Sequence, residues 1–80
     1  LYTLAKEHCD HYNLPFEVLN AIMRQGPDKA IALGPEVAQT GPARRGDNST
    51  VERHLEQLQN PATKALYQTL SENIKKRYEL

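Results

Sequence analysis

Two stretches of the sequence combine residue types that can perform chemistry, and the first is the run His8-Cys9-Asp10-His11. His8 and His11 stand three positions apart, so a helix would put both rings on one face, where they could share a metal ion. Zinc normally takes three or four protein ligands in a fixed arrangement. The remaining histidine, His54, is far away in sequence. We therefore expect no metal site, with His8 on the packed face of its helix and Asp10 and His11 in solvent.

The second stretch begins at Thr40, whose hydroxyl stands beside the rigid turn Gly41-Pro42. A turn of this kind leaves backbone groups accessible to a ligand. Arg44 and Arg45 follow, and a guanidinium is well suited to bind phosphate or carboxylate. These residues indicate a site for a small molecule that carries one of those groups.

The same stretch continues to Asp47 and His54, either of which could act as an acid or base. The helix that we expect to begin at Ser49 would also present unpaired N–H groups to an anion. The competing interpretation is structural. In it, Asp47 and Ser49 only cap that helix, the Gly-Pro pairs only turn the chain, and the arginines are solvated. Both interpretations stay open at this stage.

A complete active site is not visible in the chain. There is no pair of carboxylates, no supported Ser-His-Asp arrangement, and no Gly-rich phosphate loop after a strand. The residues above do not make an autonomous enzyme visible in this sequence.

Apolar residues at helical spacing predict the elements that carry these side chains. The face of the first helix comprises Leu1, Leu4, Ala5, His8 and Tyr12, and that of the second comprises Phe16, Leu19, Ile22 and Met23. Gly26-Pro27 should break or kink the second helix, because proline lacks an N–H and clashes with the preceding turn. The helical pattern resumes from Asp28 to Leu33, as a kinked continuation or a new helix. We expect most of residues 34–48 to form one long Gly/Pro-rich loop, with at most a turn of helix at Glu36–Gln39.

Two further helices follow the loop. Ser49 and Glu52 match a capping box, and Asn60-Pro61 supplies a cap and a first-turn proline for the last helix. The apolar stripe of the last helix comprises Ala62, Leu66, Leu70 and Ile74. We therefore predict a single all-α domain over residues 1–80, a small bundle of four to five helices around one long loop.

Composition limits the possible environments and partners. Ten basic and ten acidic residues cancel, which argues against nucleic acid, because its binders need surplus positive charge. Cys9 is the one cysteine and fits a reducing compartment, and no apolar run reaches the roughly 18 residues of a membrane span. We expect a cytoplasmic protein. Few aromatic residues hint at an oligomer or at a missing neighbouring domain, and the start at Leu1 without Met or an N-cap residue suggests that the polypeptide continues upstream.

The second stretch and its surroundings resemble a known bacterial domain. The matching motifs are Leu33-Gly34-Pro35, Thr40-Gly41-Pro42, Arg45-Gly46-Asp47, Thr50-Val51, His54-Leu55, Asn60-Pro61 and Leu66-Tyr67. They resemble the signature of a C-terminal domain of unknown function (number 2520) that follows a Rossmann-like domain in oxidoreductases. Gly26-Pro27 departs from that pattern, because related chains run one continuous helix there. The resemblance covers nearly the whole chain.

The resemblance implies a specific role. The wider group includes ketopantoate reductase and pyrroline-5-carboxylate reductase. The fold resembles the C-terminal domain of 6-phosphogluconate dehydrogenase-like oxidoreductases. By this similarity, NADP or NAD binds mainly to an absent N-terminal Rossmann domain. The helical domain closes the substrate cleft and forms a homodimer, and it is inactive alone. The residues expected to face the small-molecule substrate are Thr40, Gly41, Pro42, Arg45 and Asp47, with Thr40 and His54 as candidate catalytic groups.

Two other functions fit the same sequence. A stand-alone helical module could dock a partner protein through an exposed apolar stripe. A small metal-binding protein would rest only on His8, Cys9 and His11. The first alternative requires no upstream domain, and the second requires saturable zinc binding.

Overall fold

The computed structural model describes residues 1–79, and every regular element in this range is helical. The elements are α1 (Tyr2–His11), a 3₁₀ turn (Phe16–Leu19), α2 (Asn20–Leu33), α3 (Pro35–Ala38), α4 (Pro42–Arg45), α5 (Asn48–Gln57) and α6 (Pro61–Arg77). The predicted all-α fold is confirmed. Internal contacts group the chain into two units, one from Leu1 to Ala38 and one from Gln39 onward.

The first unit begins with α1, and Cys9 is the side chain that this helix buries, at 3% exposure. The prediction that His8 lies on the packed face is wrong, because His8 is exposed, as are Asp10 and His11. The chain reverses just after α1, where Asn13 adopts a positive φ of 55° and the N–H of Leu14 donates to the carbonyl of Cys9 at 2.8 Å. The buried side chain on α1 is therefore the thiol of Cys9 and not the imidazole of His8.

Helix α2 continues through Gly26-Pro27 as one element from Asn20 to Leu33. Of the two alternatives predicted beyond this pair, a continuation of the helix and a new helix, the structure shows the continuation. Pro27 has no N–H to donate to the carbonyl of Met23 one turn earlier. Both Gly26 and Pro27 are exposed, so water can reach the carbonyl that the proline leaves without a helical partner.

The Gly/Pro-rich segment is more ordered than the predicted loop. It contains two one-turn helices, α3 and α4, each of which begins with a proline. Proline at the first position suits a helix start, since its φ is already helical and its missing N–H would have no partner there. The turn of helix predicted at Glu36–Gln39 corresponds to α3. The loop expected over Pro42–Arg45 is wrong, because these residues form α4.

The second unit packs α4 against both α5 and α6, and α5 against α6. Small or branched side chains stand at the buried positions of the three helices, namely Ala43, Val51 and Ser71. Small residues allow the helix backbones to approach closely. The predicted stripe of α6 is wrong at Leu66 and Leu70, which are exposed, while Tyr67 and Ser71 lie on the packed side. Ile74, the last member of the stripe, is half-buried.

Local capping explains where the last helix begins. The side-chain oxygen of Asn60 accepts hydrogen bonds from the N–H groups of Ala62 and Thr63, and Pro61 is the first helical residue. The predicted cap and first-turn proline are confirmed. Among residues 1–79, no helix combines the length and the apolar character that a bilayer crossing requires.

Candidate functional site

The site suggested by the sequence is built around the short helix α4. Gly41 precedes it with a φ of 101°, and Gly46 ends it in the left-handed conformation with a φ of 69°. An L-residue with a side chain rarely adopts either angle, so glycine is the residue that lets the chain turn sharply at both ends. Thr40 and Arg45 are exposed beside these turns. They are therefore presented to solvent from a segment whose backbone is held by secondary structure.

Asp47 is the cap of α5, which begins one residue later at Asn48. Its carboxylate accepts hydrogen bonds from the N–H of Thr50 at 3.2 Å, the hydroxyl of Thr50 at 2.6 Å and the hydroxyl of Ser49 at 3.0 Å. The capping box predicted at Ser49 and Glu52 is therefore wrong, since the helix starts earlier. The simpler expectation that Asp47 caps the helix is confirmed.

The hydrogen bonds at this cap determine the charge of Asp47. The hydroxyl of Thr50 lowers the pKa of the carboxyl group most, followed by the N–H of Thr50 and the hydroxyl of Ser49, with a small contribution from the charge of Arg45. Asp47 is therefore an anion at neutral pH. Its negative charge occupies the start of α5, where we expected a substrate anion to bind. The N-terminus of α5 is thus not an anion site.

His54 lies on α5 and is paired with Tyr67 on α6. The Nδ1 atom of His54 is 2.7 Å from the phenolic oxygen of Tyr67, and the two rings meet edge to face with centroids 5.7 Å apart. Burial raises the pKa of Tyr67, and the neighbouring Ser71 hydroxyl opposes that effect only in part. His54 is half-buried and oriented by a partner on another helix, and sequence reasoning did not give Tyr67 any role.

Arg44 and Arg45 are adjacent but differ in environment. The guanidinium of Arg44 lies over the ring of Tyr78, 4.1 Å from its centroid, while Arg45 is exposed. The interpretation that both arginines are solvated is wrong for Arg44. Arg44 contributes to packing, which leaves Arg45 as the guanidinium available to a ligand.

The residues predicted for the substrate side therefore fall into one unit. Thr40, Gly41, Pro42, Arg45 and Asp47 lie within eight consecutive positions around α4, and His54 follows on the helix that packs against it. Within residues 1–79, the hydrogen-bond partner of the His54 side chain is Tyr67, so no direct bond joins His54 to the α4 segment. The sequence signal that could have indicated Tyr67 is its place in the Leu66-Tyr67 motif.

The histidines of α1 are arranged differently. The rings of His8 and His11 each lie 4.9 Å from the ring of Tyr12. In the part of the chain that the structure describes, no three potential ligand residues come together in a way that would hold a metal ion.

Comparison with known proteins places the chain in a family. Residues 1–74 match the sequence profile of a family described as a domain of unknown function (DUF2520). The chain belongs to the DUF2520 family. A similar crystal structure, that of a candidate NADP oxidoreductase from Bacteroides fragilis, is 40% identical in sequence and superposes with a TM-score of 0.86. The match covers 99% of this chain and 30% of that chain, so the DUF2520 chain spans under a third of its relative. No curated protein is significantly similar to the chain.

Proposed function

We propose that this DUF2520 chain is the C-terminal domain of an NADP-dependent or NAD-dependent oxidoreductase, and that it forms one wall of the substrate cleft. The observation that carries the proposal is the match to the Bacteroides fragilis protein, which extends over 99% of this chain. The remainder of that relative is more than twice as long as the matched part, which leaves room for a cofactor domain.

The cofactor belongs to the other domain in this proposal. A dinucleotide typically binds at a strand that leads through a Gly-rich turn into a helix. Residues 1–79 contain no strand, so the described chain does not fit the cofactor by itself. Nicotinamide would supply the hydride, and the helical domain would bind the substrate, orient it and exclude water.

The α4 segment supplies the binding groups. Arg45 is the exposed guanidinium, so it would hold a carboxylate or phosphate of the substrate. Thr40 and the Gly41-Pro42 turn would line the cleft beside it. Asp47 takes part by fixing the junction between α4 and α5, since its carboxylate accepts hydrogen bonds from the start of α5 and its N–H donates to the carbonyl of Pro42 in α4 at 2.8 Å. His54 would orient the reacting carbonyl.

Large apolar side chains support contacts beyond this chain. Ile31 is 84% exposed and Val37 is 72% exposed, and Ile22 is exposed as well. Exposed apolar side chains on neighbouring helices are typical of surfaces that another domain or subunit covers. We accordingly propose a homodimer and an N-terminal Rossmann domain, in a cytoplasmic enzyme similar to ketopantoate reductase and pyrroline-5-carboxylate reductase.

The decisive experiment uses the parent polypeptide. Its gene is sequenced upstream of the codon for Leu1, and the encoded protein is titrated with NADPH and with NADH while nucleotide fluorescence is followed. We expect a Gly-rich turn between a strand and a helix, and saturable binding of at least one nucleotide. Analytical ultracentrifugation of the same sample measures the molar mass in solution and so tests whether the protein is a dimer. A start codon immediately before Leu1, or absence of nucleotide binding by the intact protein, would refute the proposal.

The exposed side chains Ile22, Ile31 and Val37 also favour one alternative, a stand-alone helical module that docks a partner protein. The two functions differ in what the polypeptide contains. The alternative predicts a short gene product that binds another protein and no nucleotide.

A further inference from the structure

The pairing of His54 with Tyr67 determines which ring nitrogen of His54 is available. Nδ1 is occupied by the Tyr67 hydroxyl at 2.7 Å, and the edge-to-face contact of the rings fixes the orientation of the imidazole. Within residues 1–79, Nε2 has no hydrogen-bond partner. Because Nδ1 is occupied by Tyr67, Nε2 is the ring nitrogen that is left for a ligand.

The chemistry of the two groups fixes the direction of the hydrogen bond. A neutral imidazole has one N–H donor and one nitrogen acceptor, and a phenol can both donate and accept. The phenol is the better donor, because its O–H is more acidic than a neutral imidazole N–H. The imidazole nitrogen is the better acceptor, because it is more basic than a phenolic oxygen. Tyr67 therefore donates to Nδ1, and the proton of the neutral ring is left on Nε2.

We propose that Tyr67 is a positioning residue that holds His54 as the Nε2–H tautomer, so that Nε2 donates a hydrogen bond to an oxygen atom of the substrate. The substrate part of this inference rests on the proposed oxidoreductase function. It makes that function more specific, since a ring with its proton on Nε2 polarises a carbonyl as a donor and does not act as a base at that atom.

Ser71 is a further polar neighbour of Tyr67. It is buried on α6, four residues after Tyr67, and lies beside the phenol. Burial raises the pKa of Tyr67 and Ser71 opposes this only in part, so the phenol keeps the proton that it donates to His54. The rings of the other two histidines, His8 and His11, both lie against the ring of Tyr12 at the C-terminal end of α1, with centroids 4.9 Å apart in each pair.

The tautomer can be measured directly in the intact protein by ¹⁵N NMR of the histidine side chains, above the pH at which the imidazole titrates. We expect a pyridine-like Nδ1 and a pyrrole-like Nε2 for His54. In Tyr67→Phe the two resonances should move towards each other, because both tautomers become populated. Tyr2→Phe is the matched control, since Tyr2 is an exposed tyrosine on another helix. A proton on Nδ1 in the wild-type spectrum, or an unchanged His54 spectrum in Tyr67→Phe, would overturn the inference.

The functional consequence is tested separately. If the intact protein reduces a carbonyl substrate, Tyr67→Phe should lower kcat by about fivefold, the effect of losing one neutral hydrogen bond. An unchanged kcat would overturn the role assigned to Tyr67. If the wild-type protein binds no nucleotide, the oxidoreductase proposal is refuted, but the measured tautomer of His54 still stands. If Tyr67→Phe does not fold, the wild-type ¹⁵N spectrum alone decides the tautomer.

Discussion

Arg44 places its guanidinium 4.1 Å from the centre of the Tyr78 ring, and this contact joins the one-turn helix α4 to the end of α6. A helix of four residues has little stability of its own, because nucleation is unfavourable and few internal hydrogen bonds form. The contact of Arg44 therefore helps to hold α4 in place. Arg45, which is exposed, owes its position to that anchor.

The contact predicts that Arg44 contributes more than Arg45 to the stability of the protein. Replacing Arg44 with Ala should lower the free energy of unfolding by about 0.5–2 kcal/mol, the usual range of a cation–π contact. Arg45→Ala is the control in the same helix, and it should change stability by less than about 0.5 kcal/mol. Urea denaturation followed by circular dichroism measures both. Equal losses in the two variants would show that the Tyr78 contact contributes nothing.

The cap at Asp47 predicts a pH dependence. Its folded-state pKa is lowered, so the stabilisation is complete above the unfolded-state pKa of about 3.9 and is lost as the pH falls through the lower folded value. Asp47→Asn keeps an acceptor but removes the charge. The variant should melt below the wild type at pH 7, and the difference should shrink below about pH 4. A difference that stays constant down to pH 2 would contradict the assignment of the charge to this cap.

Gly26 and Pro27 predict stabilising substitutions in α2. Pro27→Ala restores an N–H to the helix and should raise the free energy of unfolding by up to about 3 kcal/mol. Gly26→Ala, made in the Pro27→Ala background because a Cβ before a proline disfavours the helical backbone, should raise it by up to about 1 kcal/mol, since no atom beyond the neighbouring helix backbone lies within 4 Å of the added Cβ. Thermal unfolding gives the order of the two effects. A Pro27→Ala variant less stable than the wild type would mean that the proline serves a contact outside residues 1–79.

The proposed substrate role of Arg45 predicts a kinetic effect in the intact enzyme. Loss of a charge-assisted hydrogen bond should lower kcat/KM by roughly 10- to 100-fold in Arg45→Ala. Arg24→Ala is the matched control, since Arg24 is an exposed arginine on α2, outside the residues assigned to the cleft. Steady-state kinetics with the physiological substrate would make the comparison. Unchanged kinetics in Arg45→Ala would remove Arg45 from the site.

His54 can be replaced by residues that imitate one ring nitrogen each. The amide of Gln can reach the place of Nε2, whereas the shorter Asn places its amide near Nδ1. If Nε2–H is the donor to substrate, His54→Gln should retain about tenfold more kcat/KM than His54→Asn. If His54→Gln and His54→Asn rank in the same order in thermal stability as in kcat/KM, the difference in activity reflects packing and not the hydrogen bond. A better result for Asn would contradict the assignment of Nε2.

Some of this structure follows from local sequence and some depends on packing. Asn60-Pro61 was predictable because the cap, the first-turn proline and the helix they begin are contiguous in sequence. The start of α5 was harder to predict. Asp47, Asn48 and Ser49 are all good capping residues, and their order in sequence does not show which one takes the position. The structure assigns it to Asp47.

Tertiary contacts account for the other differences. His54 and Tyr67 are 13 residues apart on different helices, so their hydrogen bond depends on how α5 packs against α6. The packed side of α6 could not be inferred from its most apolar stripe. Leu70 remains 49% exposed, while the neighbouring Ser71 is buried because a small side chain fits the close approach of the helices. The candidate residues themselves, Thr40 to His54, were nevertheless identified from their types and spacing.

The junction between α4 and α5 has a consequence for how this family can vary. Gly46 ends one helix and Asp47 caps the next, so two consecutive residues carry the whole connection. An insertion or deletion there would change the direction of one helix relative to the other, and it would move Arg45 with respect to His54. The connection from α5 to α6 is one residue longer, because Gln59 lies between Leu58, which ends α5, and Asn60, which caps α6. Length changes among related sequences should therefore occur next to Gln59 and be rare between residues 45 and 48.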